Sequence, residues 1–319
     1  MSNQKVKKQN YFKSKKNSAA GFQSDIVIDE DGDIFISFFG PELLHLLNRT
    51  IEFDSYRSWV LPDLPPDYFA RDLKLIKAEY ENCLLCPKEC GHNRVKNSHG
   101  NCGDWHLRVS NFGISFGDER EISDGGGSGV LFLNGCPLTC PSCINEEKVR
   151  DDKNGTTIND FLKMCESLYQ TGANNIQILS PSVSLPHIRI ILQTLKKYSF
   201  PLPIILKSSG YESVSELKKL EGLVDVYLPD YKFSSSQFWE KESGASKYHE
   251  TFIECLEEMH RQTGDIKKNE KDIITRGVMI RHVLNPYIKS VERKFIEDFL
   301  NKQSKGIYIS ILDNFVVLE

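Results

Sequence analysis

The sequence predicts an α/β fold: a partial (β/α)6 barrel of parallel strands, preceded by a smaller Cys-rich metal-binding N-terminal region. Three observations carry this. From residue 129 onward, short apolar runs alternate with amphipathic helical stretches, the pattern of parallel βα units. The runs are continuously apolar rather than alternating, as expected of strands buried on both faces. Seven of the nine cysteines fall between Cys83 and Cys143, in two tight groups.

Taken in order, residues 1–20 are rich in Lys, Asn and Ser and read as a disordered basic tail. Residues 21–79 hold an N-terminal hairpin and helices. Residues 24–38 carry two strands meeting at Asp31-Gly32, which suits a type I′ turn. Their acidic run lacks the rest of a calcium-binding loop. Pro41 opens a short helix over ELLHLLNRT, PDLPPDY is a linker, and RDLKLIKAEYENC is a helix leading into the first cysteines. Residues 80–128 form a four-cysteine metal-binding segment. The barrel spans 129–319. Its strands are GVLFLNG, NIQILSP, PIILKSSG, VDVYLPDYK, ITRGVMIRHVL and IYISIL, with five helices between them. Thr157 or Asn159 caps the first of these helices. Six strands fall short of the eight of a closed barrel. A doubly wound sheet gives a similar pattern, but no G-x-G-x-x-G follows the first strand.

Composition narrows the function. The chain has 319 residues, 39% hydrophobic and 26% charged, with a formal net charge of -4. That is a globular composition without the basic field that nucleic-acid binding calls for. No apolar run reaches the roughly 20 residues of a membrane helix, and no apolar core of a secretory signal opens the chain. The expected compartment is therefore the reducing cytoplasm, where clustered cysteines read as metal ligands before disulfides. Cys165 and Cys255 stand apart in helical segments and read as small buried hydrophobes.

Cys136, Cys140 and Cys143 are spaced C-x3-C-x2-C in NGCPLTCPSCIN. Three thiolates on one short loop can each hold one iron of a cuboidal cluster and leave a fourth iron open. A zinc loop borrowing a fourth ligand from elsewhere is the competing reading. The loop directly follows the first barrel strand, at the strand end where reactive groups of parallel α/β folds gather.

At this point the sequence resembles the radical S-adenosylmethionine (SAM) superfamily, and within it the pyruvate formate-lyase-activating-enzyme-like proteins. The likeness is carried by CLLCPKECGHNRVKNSHGNCG, GGGSGVLFLNGCPLTCPSCIN, GANNIQILSP, SSGYESVSELKKLEGLVDVYLPDYKF, EMHRQTG and TRGVMIRHVLNP, from about residue 80 to residue 286. The resemblance implies a 4Fe–4S cluster on Cys136, Cys140 and Cys143 as the catalytic centre. Its open iron binds the methionine end of SAM, and a flavodoxin- or ferredoxin-type donor supplies the electron. A 5′-deoxyadenosyl radical then takes hydrogen from an unknown protein or small-molecule substrate, a glycyl radical enzyme being one option. It further implies cofactor-binding roles for Asn145 near the cluster loop, for Asp230 and Lys232 as the D-x-K pair of activating enzymes, and for Ser208, Ser209 and Gly210 beside the ribose. A Gly-containing turn is the plain alternative for the last three. Arg281 and His282 end the fifth strand; a ligand or acid/base role for His282 stands beside that of a packed, hydrogen-bonded histidine.

The sequence also departs from the family. Ser142 occupies the position of the usual aromatic before the third cysteine. Ser182, Val183 and Ser184 replace a Thr-His-aromatic run.

The second group, Cys83, Cys86, Cys90 and Cys102, is spaced C-x2-C-x3-C-x11-C. Four thiolates suit zinc and an auxiliary iron–sulfur cluster alike. Gly91, Gly100 and Gly103 fit a tight knuckle, and His92, His99 and His106 are interleaved bystanders. The alternative function is a non-catalytic zinc-binding protein whose basic tail contacts nucleic acid. The acidic balance and the lack of a basic stripe disfavour it, and no membrane partner is expected.

Overall fold

The computed structural model describes residues 24–28, 34–38, 57–97, 102–116, 120–123, 127–140, 143, 145, 155–232, 243–283 and 306–312. β1 (Ser24–Ile28) and β2 (Ile34–Phe38) pair antiparallel as the expected hairpin. Their register pairs Ile28 with Ile34, one residue off the Ile28–Phe35 pairing that a two-residue turn at Asp31-Gly32 requires. The turn itself, the helix expected after Pro41 and the one over 290–304 lie outside the described residues, as does the basic tail.

α1 (Ala70–Glu81) leads into the cysteine knuckle. β3 (Val109–Ser115), β4 (Ser128–Leu133), α2 (Ile158–Gln170), β5 (Ile176–Leu179), α3 (Leu185–Lys197), β6 (Ile204–Lys207), α4 (Val214–Lys218), β7 (Val226–Tyr227), α5 (Tyr248–Thr263), β8 (Lys267–Lys268), β9 (Ile274–Val283) and β10 (Tyr308–Leu312) follow. The six expected strands lie side by side as β4-β5-β6-β7-β9-β10, every neighbouring pair parallel. Spatial order equals sequence order, so the chain winds in one direction; a doubly wound sheet would reverse it. This is an open α/β sheet of the partial-barrel kind. β3 adds an antiparallel strand beside β4, and β8 pairs antiparallel with β9.

Residue parity assigns the two faces of the sheet. Leu131, Leu133, Ile176, Ile178, Leu206, Tyr227, Val278 and Ile280 share one core with Phe161, Cys165, Ile188, Leu192, Phe252, Cys255 and Met259 of the helices. Ile205, Val226, Leu228 and Met279 form a smaller cluster on the opposite, inner face. Cys165 and Cys255 are fully buried, as expected of small hydrophobes. β7 is shorter than the run VDVYLPDYK because Pro229 has no N–H for the ladder. Beyond it the pairing resumes only as an isolated bridge between Asp230 and Arg281.

α2 starts on a capping box. The Thr157 hydroxyl accepts the N–H of Asp160, whose carboxylate accepts the N–H of Thr157. Its C-terminus is closed from outside the barrel. The Arg57 guanidinium donates to the carbonyls of Tyr169 (2.6 Å), Gly172 (3.0 Å) and Ala173 (2.9 Å) and lies over the Tyr169 ring. The Tyr169 carbonyl also accepts the Gly172 N–H at 3.1 Å, so the guanidinium completes a turn that the backbone closes only in part. Arg57→Ala removes three charge-assisted bonds, so we expect a loss of about 1.5–3 kcal/mol. Urea unfolding should show this as a lower midpoint at unchanged slope.

Candidate functional site

All six parallel strands point the same way, so their C-terminal ends share one rim. The first cysteine loop leaves the rim at Asn134-Gly135, directly after β4. Gly135 has φ +85, and a Cβ there would lie 2.5 Å from Val183 and 2.9 Å from the Cys102 carbonyl oxygen. Only glycine fits, because the backbone passes tight against two other loops.

Cys136, Cys140 and Cys143 are all half-buried. Burial pushes the Cys136 thiol up to about 12, Cys140 and Cys143 push the same way, and the Leu138 N–H and Lys232 oppose them. Cys140 is raised by burial, with Lys232 again opposing and Cys143 and Asp230 adding to the rise. The three thiols thus feel one another and the charges at the end of β7. Among the described residues, no three His, Cys, Asp or Glu side chains are gathered closely enough for one metal ion. A cuboidal cluster makes a different demand, since each thiolate takes its own iron. The donors fit such a group. They are soft thiols on one loop, the Leu138 N–H lies 3.4 Å from the Cys136 sulfur, and the Lys232 charge acts on Cys136 and Cys140.

At the ends of β6, β7 and β9, Asp230 is the hub. Lys232 Nζ donates to Asp230 Oδ2 at 3.1 Å, and an Arg281 Nη donates to Oδ1 at 3.1 Å. Burial alone would raise the Asp230 carboxyl; Lys232, Arg281 and Lys207 outweigh it and hold it well below the usual carboxylate range. Burial alone would lower the Lys232 ammonium; Asp230, Cys140 and Cys136 outweigh it and raise it. Both groups are ionised at neutral pH.

Parity separates Arg281 from His282. Arg281 turns inward with Asp230, two residues beyond the inner-face Met279 and Leu228. His282 turns outward. It is 1% exposed, its Nδ1 lies 2.6 Å from the Tyr231 carbonyl oxygen, and its ring lies 5.7 Å from that of Tyr231. That is the setting of a packed, hydrogen-bonded side chain. Lys207 continues the inner-face row of Ile205 and was missed from the sequence. The signal was present, a lysine closing the apolar run PIIL.

Ser208, Ser209 and Gly210 follow β6 and are buried. Gly210 has φ +64, and a Cβ there would meet Phe252 at 2.3 Å. The Asp230 N–H donates to the Ser208 carbonyl, fastening this turn to the ionic hub. Tyr248, at the start of α5, pins both. Its hydroxyl lies 2.8 Å from the carbonyl oxygens of Ser209 and Asp230 and accepts the Lys232 N–H at 3.0 Å. Burial pushes its pKa well up, so it stays neutral. After β5, the Ser182 hydroxyl donates to Glu212, a fully buried carboxyl raised by burial. Asn145 is half-buried in a turn past Cys143, and Ser142 lies outside the described residues.

The second cysteine group lies against the first. The Cys102 sulfur is 3.8 Å from the Cys136 carbonyl oxygen, and Lys88 Nζ donates to the Pro137 carbonyl. The His92 carbonyl accepts the Cys83 N–H, and His106 pairs with Asp104. His99 lies outside the described residues.

No family model matches the chain. An uncharacterized protein of Methanocaldococcus jannaschii is 24% identical over 279 residues, covering 85% of this chain and 77% of that protein. Among solved structures, HydG, a maturase of the FeFe-hydrogenase, aligns with a TM-score of 0.42 at 12% identity. That alignment covers 86% of this chain and 58% of HydG, so the chain spans under two thirds of its length. Among the described residues no helix is long and apolar enough to cross a membrane.

Asp230→Asn keeps the shape of the hub and removes its anion. At neutral pH we expect the variant to lose about 1–3 kcal/mol. Asp230 titrates lower folded than unfolded, so its contribution is complete above the unfolded carboxylate value of about 3.9 and fades below it. The gap between the two proteins in urea midpoint should be flat from about pH 7 to pH 5 and close below about pH 4. A gap still undiminished at about pH 3 would mean that Asp230 does not stabilise as an anion.

Proposed function

We propose that this chain is a radical SAM enzyme of the activating-enzyme-like kind, acting in the cytoplasm. The observation that carries the reading is the juxtaposition of three thiols, on the loop after the first parallel strand, with the Asp230–Lys232 pair at the end of β7. Cys136, Cys140 and Cys143 would hold a 4Fe–4S cluster, to which SAM would bind. When bound, the two supply a one-electron cleavage of the S–C5′ bond whose 5′-deoxyadenosyl product takes a hydrogen atom from the substrate.

The chain's own residues do the rest. Lys232 sets a fixed positive charge beside Cys136 and Cys140, suited to an anionic group such as a carboxylate. Asp230 and Arg281 hold that charge at the inner face of the rim. The turn Ser208-Ser209-Gly210 presents backbone to a nucleoside, and Asn145 flanks the cluster loop. The reductant is a low-potential donor of the flavodoxin or ferredoxin type. The substrate is a protein or small molecule that gives up a hydrogen atom, and a glycyl radical enzyme fits that description.

Anaerobic reconstitution with iron and sulfide, followed by dithionite and SAM, tests this. The protein should release 5′-deoxyadenosine and Cys140→Ala should release none. Release by Cys140→Ala, or zinc binding with no SAM cleavage by the native chain, would overturn the assignment. Lys232→Ala removes one charged contact, and SAM binding should weaken about 10–100-fold by equilibrium dialysis.

A further inference from the structure

The turns after β5 and β6 share a tie that the proposed chemistry does not use. The β5–β6 ladder ends where the Ser180 N–H donates to the Lys207 carbonyl at 3.2 Å. Beyond that point the two stretches part. A side chain joins them again: the Ser182 hydroxyl, in the turn after β5, donates to the carboxyl of Glu212, in the turn after β6. Ser182 is 3% exposed and Glu212 is fully buried, so Glu212 does not itself touch a ligand at the rim.

The carboxyl faces donors from both turns. Burial raises it; the Ser182 and Ser208 hydroxyls and the N–H groups of Glu212 and Tyr211 oppose that rise. A buried acceptor is destabilising unless donors reach it, and here they come from two separate stretches of chain. The Ser208 hydroxyl oxygen in turn accepts the Gly210 N–H at 3.1 Å, and the Ser208 carbonyl accepts the Asp230 N–H at 2.9 Å. A line of contacts therefore runs from Ser182 through Glu212 and Ser208 to Gly210 and Asp230. Both turns are also held from outside. The Val183 carbonyl accepts an Arg94 Nη–H and the Tyr80 hydroxyl, each at 3.0 Å. Arg94 is 2% exposed, lies 4.7 Å over the Tyr80 ring, and also donates to the carbonyls of Cys102, Gly103 and Asp104. Ser213 donates its N–H to the Leu85 carbonyl at 3.0 Å and its hydroxyl to the Leu84 carbonyl at 2.7 Å. The Cys255 thiol of α5 lies 3.2 Å from the Glu212 carbonyl oxygen. With the backbone on both sides fixed, little freedom is left for the Glu212 side chain to lose in making its bonds.

We propose that Glu212 is a positioning residue of the SAM site: its carboxyl sets the Ser208-Ser209-Gly210 turn against the turn after β5, and so orients the backbone that the nucleoside meets. The ligand named here rests on the proposed function; the coupling of the two turns does not. A carboxyl suits the role better than an amide. Its oxygens accept from both turns, whereas an amide sets N–H donors against the donors already there.

Two measurements on the full chain test this. The first is native-state hydrogen exchange without SAM. Ser182→Ala alters the turn after β5, and the Gly210 amide, in the turn after β6, should exchange about 10-fold faster. Unchanged exchange at Gly210 overturns the coupling. The second is SAM binding to the anaerobically reconstituted protein by equilibrium dialysis. Glu212→Leu, close in size and without an acceptor, should weaken binding about 10-fold, and Glu212→Gln, which keeps one acceptor oxygen, about 3-fold. Adding Ser182→Ala to Glu212→Leu should weaken it no further, because both remove the same tie. Native affinity in Glu212→Leu, or losses that multiply in the double variant, overturns the positioning role. Should Glu212→Leu not fold, Ser182→Ala alone should weaken SAM binding about 3–10-fold, and native affinity there overturns the proposal. A native chain that binds no SAM strikes the proposed function, and exchange at Gly210 still decides whether the two turns are coupled.

Discussion

Five successive strands of one sheet run parallel with β4, and every site residue of the rim depends on that shared direction. Because neighbouring strands start at one edge and finish at the other, each βα connection emerges at the same rim. The cysteine loop, the serine turn after β5, the Ser208-Gly210 turn, the Asp230–Lys232 pair and Arg281 are spread over about 150 residues of chain. They meet only because five ladders agree in direction. A strand inserted antiparallel within the series would send its loop to the far end.

The rim is polar over an apolar floor. The inner face of the sheet carries Ile205, Val226, Leu228 and Met279, and the next positions along the same strands are Lys207, Asp230 and Arg281. One carboxylate among three cations is a stable arrangement in a half-buried setting because Asp230 satisfies two of them directly. The cysteines face this positive layer, which suits sulfur ligands that become anionic when they bind metal.

Much of this was legible in the residues. Continuous apolar runs marked all six parallel strands, and Thr157 marked the start of α2 through a hydroxyl that structure and sequence read alike. The three-cysteine spacing marked the loop. What the sequence could not show is what parity decides once strand ends are known. Arg281 and His282 are adjacent, yet the sheet's pleat sends one to the inner face and the other into the helix layer. Lys207 was hidden for the same reason, as a lysine closing an apolar run has no assigned face until its register is fixed. Pro229 shortened β7 by removing a donor, and β3 joined the sheet with a pattern too mixed to read as a strand. Arg94 and Arg57 act on backbone carbonyls, which leave no trace in a side-chain pattern.

Tyr248 belongs to a helix, and its oxygen joins Ser209, Asp230 and Lys232. The tolerance of the rim to change is therefore set from behind it. A phenylalanine at that position would keep the packing with Tyr211, Tyr231 and Phe252 and delete one atom. Two strand ends would then lose their common tie at once. A residue of the helix layer thus holds the rim as firmly as the residues that form it.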